Sequence, residues 1–196
     1  MTKIVLYMSM SLDGFIAGAA DGPGNPLGTD GMRLFSWMSE FDSGRPAIGP
    51  SAPVWEEMHT AGSVITGRRT AEIGQYWGGD HHDGVQIFLL SRSVPAKNPW
   101  SNIHYVTDGI ESCVAQAKAA AGDKHVLLHG AYTARQALRA GLLDEIEVAV
   151  IPVLLGTGRP LFSELSQYHE LELIRNLQAP AATHLRYRVH YAATAG

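Results

Sequence analysis

Between Ser63 and Gly141 the chain alternates short apolar runs with helical segments, and that alternation restricts its fold more than any other feature. Ser63 to Thr66 reads as a strand and Arg69 to Tyr76 as a helix, and Val85 to Leu90 and Ile103 to Val106 are two further strands. A helix follows, with Asp108 and Glu111 spaced as a D-x-x-E capping box and Gly122 at its end. "HVLLHG" (125–130) is a strand, and "AYTARQALRAG" a helix closed by Gly141. Strands joined through helices pair in parallel with right-handed crossovers, which gives an α/β architecture on a mainly parallel sheet.

The flanking segments complete that sheet. Lys3 to Met10 is continuously apolar, as in a strand buried on both faces. Residues 18–31, "GAADGPGNPLGTDG", are dense in turn formers and irregular, and loops of this length commonly serve a site. "MRLFSWMSEF" (32–41) sets Leu34, Trp37, Met38 and Phe41 at helical spacing, and "SAPVWEEMH" is a second short helix with Ser51 as N-cap. Past Gly141 the pattern changes. Glu145 to Leu155 is strand-like, and Glu170 to Leu177 and His184 to Tyr191 alternate apolar with polar residues across the broad hairpin "LQAPAATH". No repeat or linker divides the chain, so residues 1–196 are expected to form one mixed α/β domain.

Composition narrows the function. A net charge of -4 argues against a nucleic-acid binder with a broad basic face, while leaving room for a small cationic pocket. The lone cysteine, Cys113, has no partner for an internal disulfide and reads as a buried thiol in a helix. No apolar stretch is long enough to cross a bilayer, and the first residues lack a signal-peptide pattern. The expectation is a cytoplasmic protein with no membrane or nucleic-acid partner.

Ligands of open α/β sheets bind beyond the carboxyl ends of the strands, where this chain places "TGRRT" (66–70) and "LHGAYT" (128–133). Each junction has a glycine and the free N–H groups of a helix start, which suits the two phosphates of a dinucleotide. The helix dipole already makes such a start positive, so Arg68 and Arg69 imply a negative ligand. Arg92, in "LLSRS" (89–93), joins them at the same sheet edge, and several converging arginines suggest the extra phosphate of NADPH. The G-x-G-x-x-G fingerprint is absent, since "GTGRPL" (156–161) departs from it. "GGDHHDG" (78–84) lacks the helical i, i+4 histidine spacing and is read as a solvated loop, not a metal site. No serine occupies a G-x-S-x-G elbow.

These residues resemble the dihydrofolate reductase-like family, and within it the reductase domain of the bacterial bifunctional deaminase–reductase of riboflavin synthesis. The likeness rests on "MSMSLDGFIA" (8–17), "TGRRT", "LLSRS", "LLHGAYTARQALRAGLLDEIEVAVIPVLLGTGRPLF" (127–162) and the terminal strand pair. It covers nearly the whole chain, which carries no zinc deaminase motif and so looks like a stand-alone reductase. The resemblance implies a three-layer sandwich with a mostly parallel mixed sheet and a C-terminal antiparallel hairpin. It also implies NADPH as hydride donor to a pyrimidine- or pterin-like heterocycle, as in 5-amino-6-(5-phosphoribosylamino)uracil reductase.

By that resemblance Gly67, Arg68, Arg69 and Thr70 hold the 2'-phosphate and pyrophosphate, and Leu90, Ser91 and Arg92 the adenosine side. His129, Gly130, Ala131, Tyr132 and Thr133 wrap the second phosphate and the nicotinamide ribose, and Ser9, Ile16 and Ala17 line the nicotinamide. The chain departs from the family at His129-Gly130-Ala131, where two or three glycines are usual. His129 then either aims its imidazole at the cofactor or packs at a strand end. The first helix lacks the carboxylate that assists protonation in dihydrofolate reductase, with Glu40 only late in it, which speaks against folate reduction. Asp13, in the "SLDG" turn, is the candidate proton-handling acid, with stabilisation of that turn as the alternative. Trp37 is either a stacking surface for a flat heterocycle or a core tryptophan. A same-fold enzyme using a flavin or deazaflavin, and a non-catalytic nucleotide-binding protein, are the competing readings. The apolar run "GLLDEIEVAVIPVLLG" and the family habit lead to the expectation of a homodimer.

Overall fold

The strand Ile4–Ser11 (β1) runs through the middle of an eight-stranded sheet. The computed structural model describes residues 2–22, 24–40, 49–163, 165 and 167–191, apart from the side chains of 39 and 40. Phe41 and the side chain of Glu40 thus lie outside the described residues. After β1 come Phe15–Gly18 (β2), Ser63–Gly67 (β3), Gln86–Leu90 (β4), Ile103–Val106 (β5) and Val126–Leu128 (β6). Glu145–Ile151 (β7), Gly158–Pro160 (β8), Glu170–Gln178 (β9) and Thr183–His190 (β10) follow. The sheet order is β5-β4-β3-β6-β1-β7-β10-β9, parallel from β5 to β7 and antiparallel across β10 and β9, while β2 and β8 form a separate antiparallel ribbon. This is the mostly parallel mixed α/β sheet expected from the strand–helix alternation.

The helices Ala52–Met58 (α1), Arg68–Ile73 (α2), Ile110–Ala121 (α3) and Ala131–Arg139 (α4) cover the sheet. Ile4, Val5 and Leu6 of β1 are 0% exposed, because successive side chains enter opposite hydrophobic layers. Ile4 and Leu6 join Ile65, Leu128 and the small residues Ala117 and Ala134 of α3 and α4. Val5 joins Trp37, Val54, Met58 and Leu127 on the other face. Each such aliphatic side chain contributes roughly 1.5–3 kcal/mol. Burial pushes the Cys113 thiol up to about 12, so it is packing material at neutral pH. Among the described residues no helix is long and apolar enough to cross a membrane.

Three local expectations need correction. Ser51 precedes α1, yet its side chain caps nothing; its hydroxyl is buried and lies 2.9 Å from His184 Nε2. The Asp108–Glu111 capping box does not form, because Gly109, at φ 108, takes the N-cap position without a side-chain bond. The helix expected from residue 32 is present, as a 3-10 helix over Gly31–Glu40. The strand from Glu145 stops at Ile151, where Pro152 lacks a ladder donor and the Leu155 and Gly156 amides turn to Asp13.

Candidate functional site

A cleft of about 1170 Å³ opens beyond the carboxyl ends of β1, β3, β4 and β6. Ser9, Ile16, Ala17, Trp37, Gly67, Arg68, Arg69, Thr70, Leu90, Ser91, Arg92, His129, Gly130, Ala131, Tyr132 and Thr133 all line it. The two glycine junctions meet there. A Cβ on Gly130, at φ +92, would stand 2.6 Å from Thr70 Oγ1, and one on Gly67 would touch Thr133 at 3.7 Å. Thr133 fastens the second turn by donating its hydroxyl to the carbonyls of His129 and Gly130. The first-turn amides of α4 have no intrahelical acceptor and are available to an anion.

The arginines are held, not free-swinging. Arg68 Nη2 donates to Ser91 Oγ at 2.8 Å and to the Ser93 carbonyl at 2.7 Å, which ties α2 to the segment after β4. Arg69 pairs with Asp21 at 2.5 Å, and Arg159 reaches the same carboxylate at 3.0 Å. Burial alone would raise the Asp21 pKa, but hydrogen bonds from Arg159 and Arg69 outweigh it and hold the carboxyl below its ordinary range. The loop that carries Asp21 is thereby clamped at the cleft mouth. Arg92 is exposed at the cleft.

At the other end Trp37 is 2% exposed and donates its indole N–H to Ser9 Oγ at 2.8 Å. Its ring meets His184 edge-on at 4.8 Å, so it is a hydrogen-bonded core residue that also forms part of the cleft wall. Asp13 does not line the cleft. Its carboxylate accepts from Ser11 Oγ at 2.5 Å, the Leu155 amide at 3.1 Å and the Gly156 amide at 2.7 Å. The Ser11 hydroxyl bond and these amides hold its pKa below the usual carboxylate value. The catalytic-acid assignment is therefore corrected: Asp13 is an ionised brace between the β1 turn and the loop after β7.

The "GGDHHDG" segment also departs from expectation, because its histidines turn inward. His82 is 8% exposed, and His81 and His129 are half-buried and line the cleft. His81 Nδ1 lies 2.7 Å from His82 Nδ1, and His81 Nε2 lies 3.0 Å from His129 Nε2. His129 Nδ1 donates to the Tyr7 carbonyl at 2.9 Å, and His82 Nε2 stands 3.1 Å from the Ala61 carbonyl. Burial, followed by the neighbouring imidazoles, lowers His81 to about 2; burial lowers His129 to about 4. Among the described residues no His, Cys, Asp or Glu cluster has the arrangement to hold a metal ion.

A strained turn sets the aromatic wall beside these rings. The expected helix to Tyr76 ends at Ile73, and Gln75, Tyr76, Trp77 and Gly78 take left-handed φ values of 49, 54, 50 and 63°. For the three non-glycine residues this costs roughly 1–2 kcal/mol each. The turn lays Trp77 5.0 Å from the His81 ring and 6.1 Å from the His129 ring, while Tyr76 stacks on Trp100 at 4.8 Å.

Below the cleft, under α1, three carboxylates face two guanidiniums. Arg186 pairs with Glu145 at 2.6 Å and with Glu57, and Arg175 pairs with Glu147 at 2.6 Å and Glu57 at 2.8 Å. Burial raises the Glu147 pKa despite Arg175. Tyr7 is raised too, by burial and then by Glu57, and its hydroxyl has no hydrogen-bond partner among the described residues.

The sequence reading did not single out Asp21, Arg159, His81 or Trp77. The arginine of "GTGRPL" was the available signal for Arg159, and the paired histidines for His81. Nothing local marks Asp21, whose partners are 48 and 138 residues away.

Comparison with known proteins follows the same lines. The uncharacterised protein YwjB of Bacillus subtilis is 28% identical over 185 residues, covering 94% of this chain and 97% of its own. A protein from Shewanella sp. PV-4 named for riboflavin biosynthesis superposes with a TM-score of 0.72 at 21% identity, covering 97% of this chain and 100% of that one. A pyrimidine reductase-like protein from Corynebacterium diphtheriae gives 0.61 at 16% identity, with 97% and 93% covered. The deaminase/5-amino-6-(5-phosphoribosylamino)uracil reductase of Thermotoga maritima gives 0.63 at 13% identity, with 96% of this chain matching 57% of that longer one. These superpositions establish a shared fold, and the family model of the RibD C-terminal domain matches residues 2–185, so the chain belongs to the RibD C-terminal domain family.

Proposed function

We propose that the protein is a cytoplasmic reductase that binds NADPH in the cleft and reduces a pyrimidine- or pterin-like heterocycle beside it. The observation that carries this reading is the meeting of the β3–α2 and β6–α4 turns at Gly130 and Thr70, with Arg68, Arg69 and Arg92 around them. The residues fit the cofactor. The bare Gly130 lets its turn close against the Thr70 hydroxyl, which brings the two helix starts together as a pyrophosphate needs, and the guanidiniums suit a ribose phosphate. Bound reduced nicotinamide supplies a hydride, and the protein's part is alignment. Ser9, Ile16 and Ala17 set the position of the ring, and Trp37 and Trp55 offer flat apolar walls to the acceptor.

Calorimetric titration tests the reading: saturable NADPH binding in the micromolar range is expected, and none below millimolar rejects it. Arg68→Ala with Arg92→Ala is expected to weaken NADPH about tenfold or more and NADH little. Equal losses for both cofactors remove the 2'-phosphate assignment. A homodimer belongs to the same proposal. It is supported by the edge strand β9, where Leu171, Leu173 and Ile174 are 40, 52 and 36% exposed. Sedimentation equilibrium showing a monomer at micromolar concentration rejects it.

A further inference from the structure

Tyr7 Oη, Glu147 Oε1 and His184 Nδ1 are buried without a hydrogen-bond partner among the described residues, and all three residues line the cleft. Native interiors pair nearly all such atoms, because a buried polar atom left bare has given up water for nothing. The rest of each residue is fixed. Tyr7 and Glu147, each 2% exposed, are register partners on β1 and β7, strands that stand about 4.8 Å apart. Glu147 gives its other oxygen to Arg175 at 2.6 Å, and Glu57 holds the same guanidinium at 2.8 Å. His184 lies one row nearer the cleft mouth, opposite Ala149, with its Nε2 2.9 Å from Ser51 Oγ. Trp37 covers that row by bonding Ser9 and meeting His184 edge-on, and Val54 and Met58 of α1 also line the slot. An apolar slot thus ends on polar atoms that nothing in it satisfies.

The chemistry of those atoms says what is missing. Burial keeps the Tyr7 hydroxyl protonated, so it has a proton to donate. Burial raises the Glu147 pKa even beside Arg175, as for a carboxylate with too few donors. The Ser51 hydroxyl both donates and accepts, so the neutral His184 ring can present either an N–H or a lone pair at Nδ1.

We propose that this end of the cleft is the recognition subsite for the acceptor and takes the lactam edge of a flat heterocycle, a ring N–H beside a ring C=O. Glu147 Oε1 accepts the N–H, Tyr7 donates its hydroxyl to the carbonyl oxygen, and His184 meets a donor or acceptor at the next ring position. Other edges match poorly. Two adjacent N–H groups, as on an amidine, leave the tyrosine proton unmatched. Two acceptors, a carboxylate or a phosphate set lone pairs against Glu147, and a hydrocarbon edge leaves both oxygens bare. This subsite rests on the proposed heterocyclic acceptor and deepens that reading, but it needs no hydride chemistry to be tested.

Fluorescence titration decides it, with and without saturating NADPH. The probes are pteridine-2,4-dione, whose pyrimidine ring carries N–H beside C=O, and its 1,3-dimethyl derivative, which keeps both carbonyls but has no N–H. The parent compound is expected to bind at least tenfold tighter than the derivative. In Glu147→Gln the amide carbonyl turns to Arg175, which keeps Glu57 as well, and an NH2 faces the cleft. That variant is expected to weaken the parent compound alone and bring the ratio towards one. Tyr7→Phe removes only the unpaired hydroxyl. It is expected to weaken both compounds severalfold while Tm stays level or rises, since no bond within the protein is lost. No saturable binding of the parent compound below millimolar in either condition, or a ratio unmoved by Glu147→Gln, overturns the subsite. Unchanged binding in Tyr7→Phe overturns the role of the hydroxyl. Failure to bind NADPH with the ratio intact defeats the reductase reading and leaves the subsite standing; NADPH binding without that ratio does the reverse.

Discussion

Gly130 and Thr70 come from different strand–helix junctions, yet a methyl group on Gly130 would lie 2.6 Å from the Thr70 hydroxyl oxygen. That approach closes two turns into one cradle. Gly130→Ala is expected to cost about 1–3 kcal/mol through its φ of +92° and this contact, and to weaken NADPH at least tenfold. Adding Thr70→Ala relieves the contact but not the backbone conformation, so stability returns in part. Thermal unfolding and titration of both variants check this.

Asp13→Asn separates a brace from a catalyst. The carboxyl pKa is lowered in the folded state, by the Ser11 hydroxyl first and the Gly156 and Leu155 amides after it. Its contribution to stability is thus fully present above the unfolded value of about 4 and is lost as pH falls through the folded value. The variant is expected to lower Tm near neutrality and flatten the acid limb of Tm against pH. It is expected to leave the shape of the kcat–pH profile alone, and a lost limb there returns Asp13 to the chemistry.

The buried charge cluster gives a sharper stability test. Arg186 has an 11% exposed side chain and serves both Glu57 and Glu145. Arg186→Met leaves those carboxylates short of a partner and is expected to cost about 3–5 kcal/mol in urea unfolding. Arg186→Lys keeps the charge without the fork and is expected to fall between.

The strained turn offers a gain. Gln75 is exposed at φ 49, a conformation that glycine adopts without strain. Gln75→Gly is expected to stabilise by about 0.5–1 kcal/mol, the steric relief being partly offset by unfolded-state entropy. Denaturant midpoints measure it.

The mostly parallel, mixed character of the sheet and the place of the cleft were legible because both depend on local pattern. Apolar runs bounded by glycine marked β3, β4 and β6, and their carboxyl ends had to share one edge. What escaped depends on distant partners. The Ser51 hydroxyl was read as a cap because its neighbours are helical, but His184, 133 residues away, takes it. The Asp108–Glu111 spacing was right for a capping box, yet Gly109 sat at the N-cap. "GGDHHDG" looked solvated by composition. A Cβ on Gly79 would lie 2.0 Å from Trp100, a close approach of the backbone that no local pattern of glycine and histidine reveals. Gln75, Tyr76 and Trp77 carry none of the residue types that announce a left-handed turn.

Tyr7 belongs to both halves of the molecule at once. Its carbonyl fixes His129 in the cleft wall, while its ring descends from β1 to the carboxylates and guanidiniums under α1. The backbone of one residue thus holds the imidazole while its side chain reaches the buried charges. The buried ion pairs and the wall of the cleft are therefore joined through this one residue.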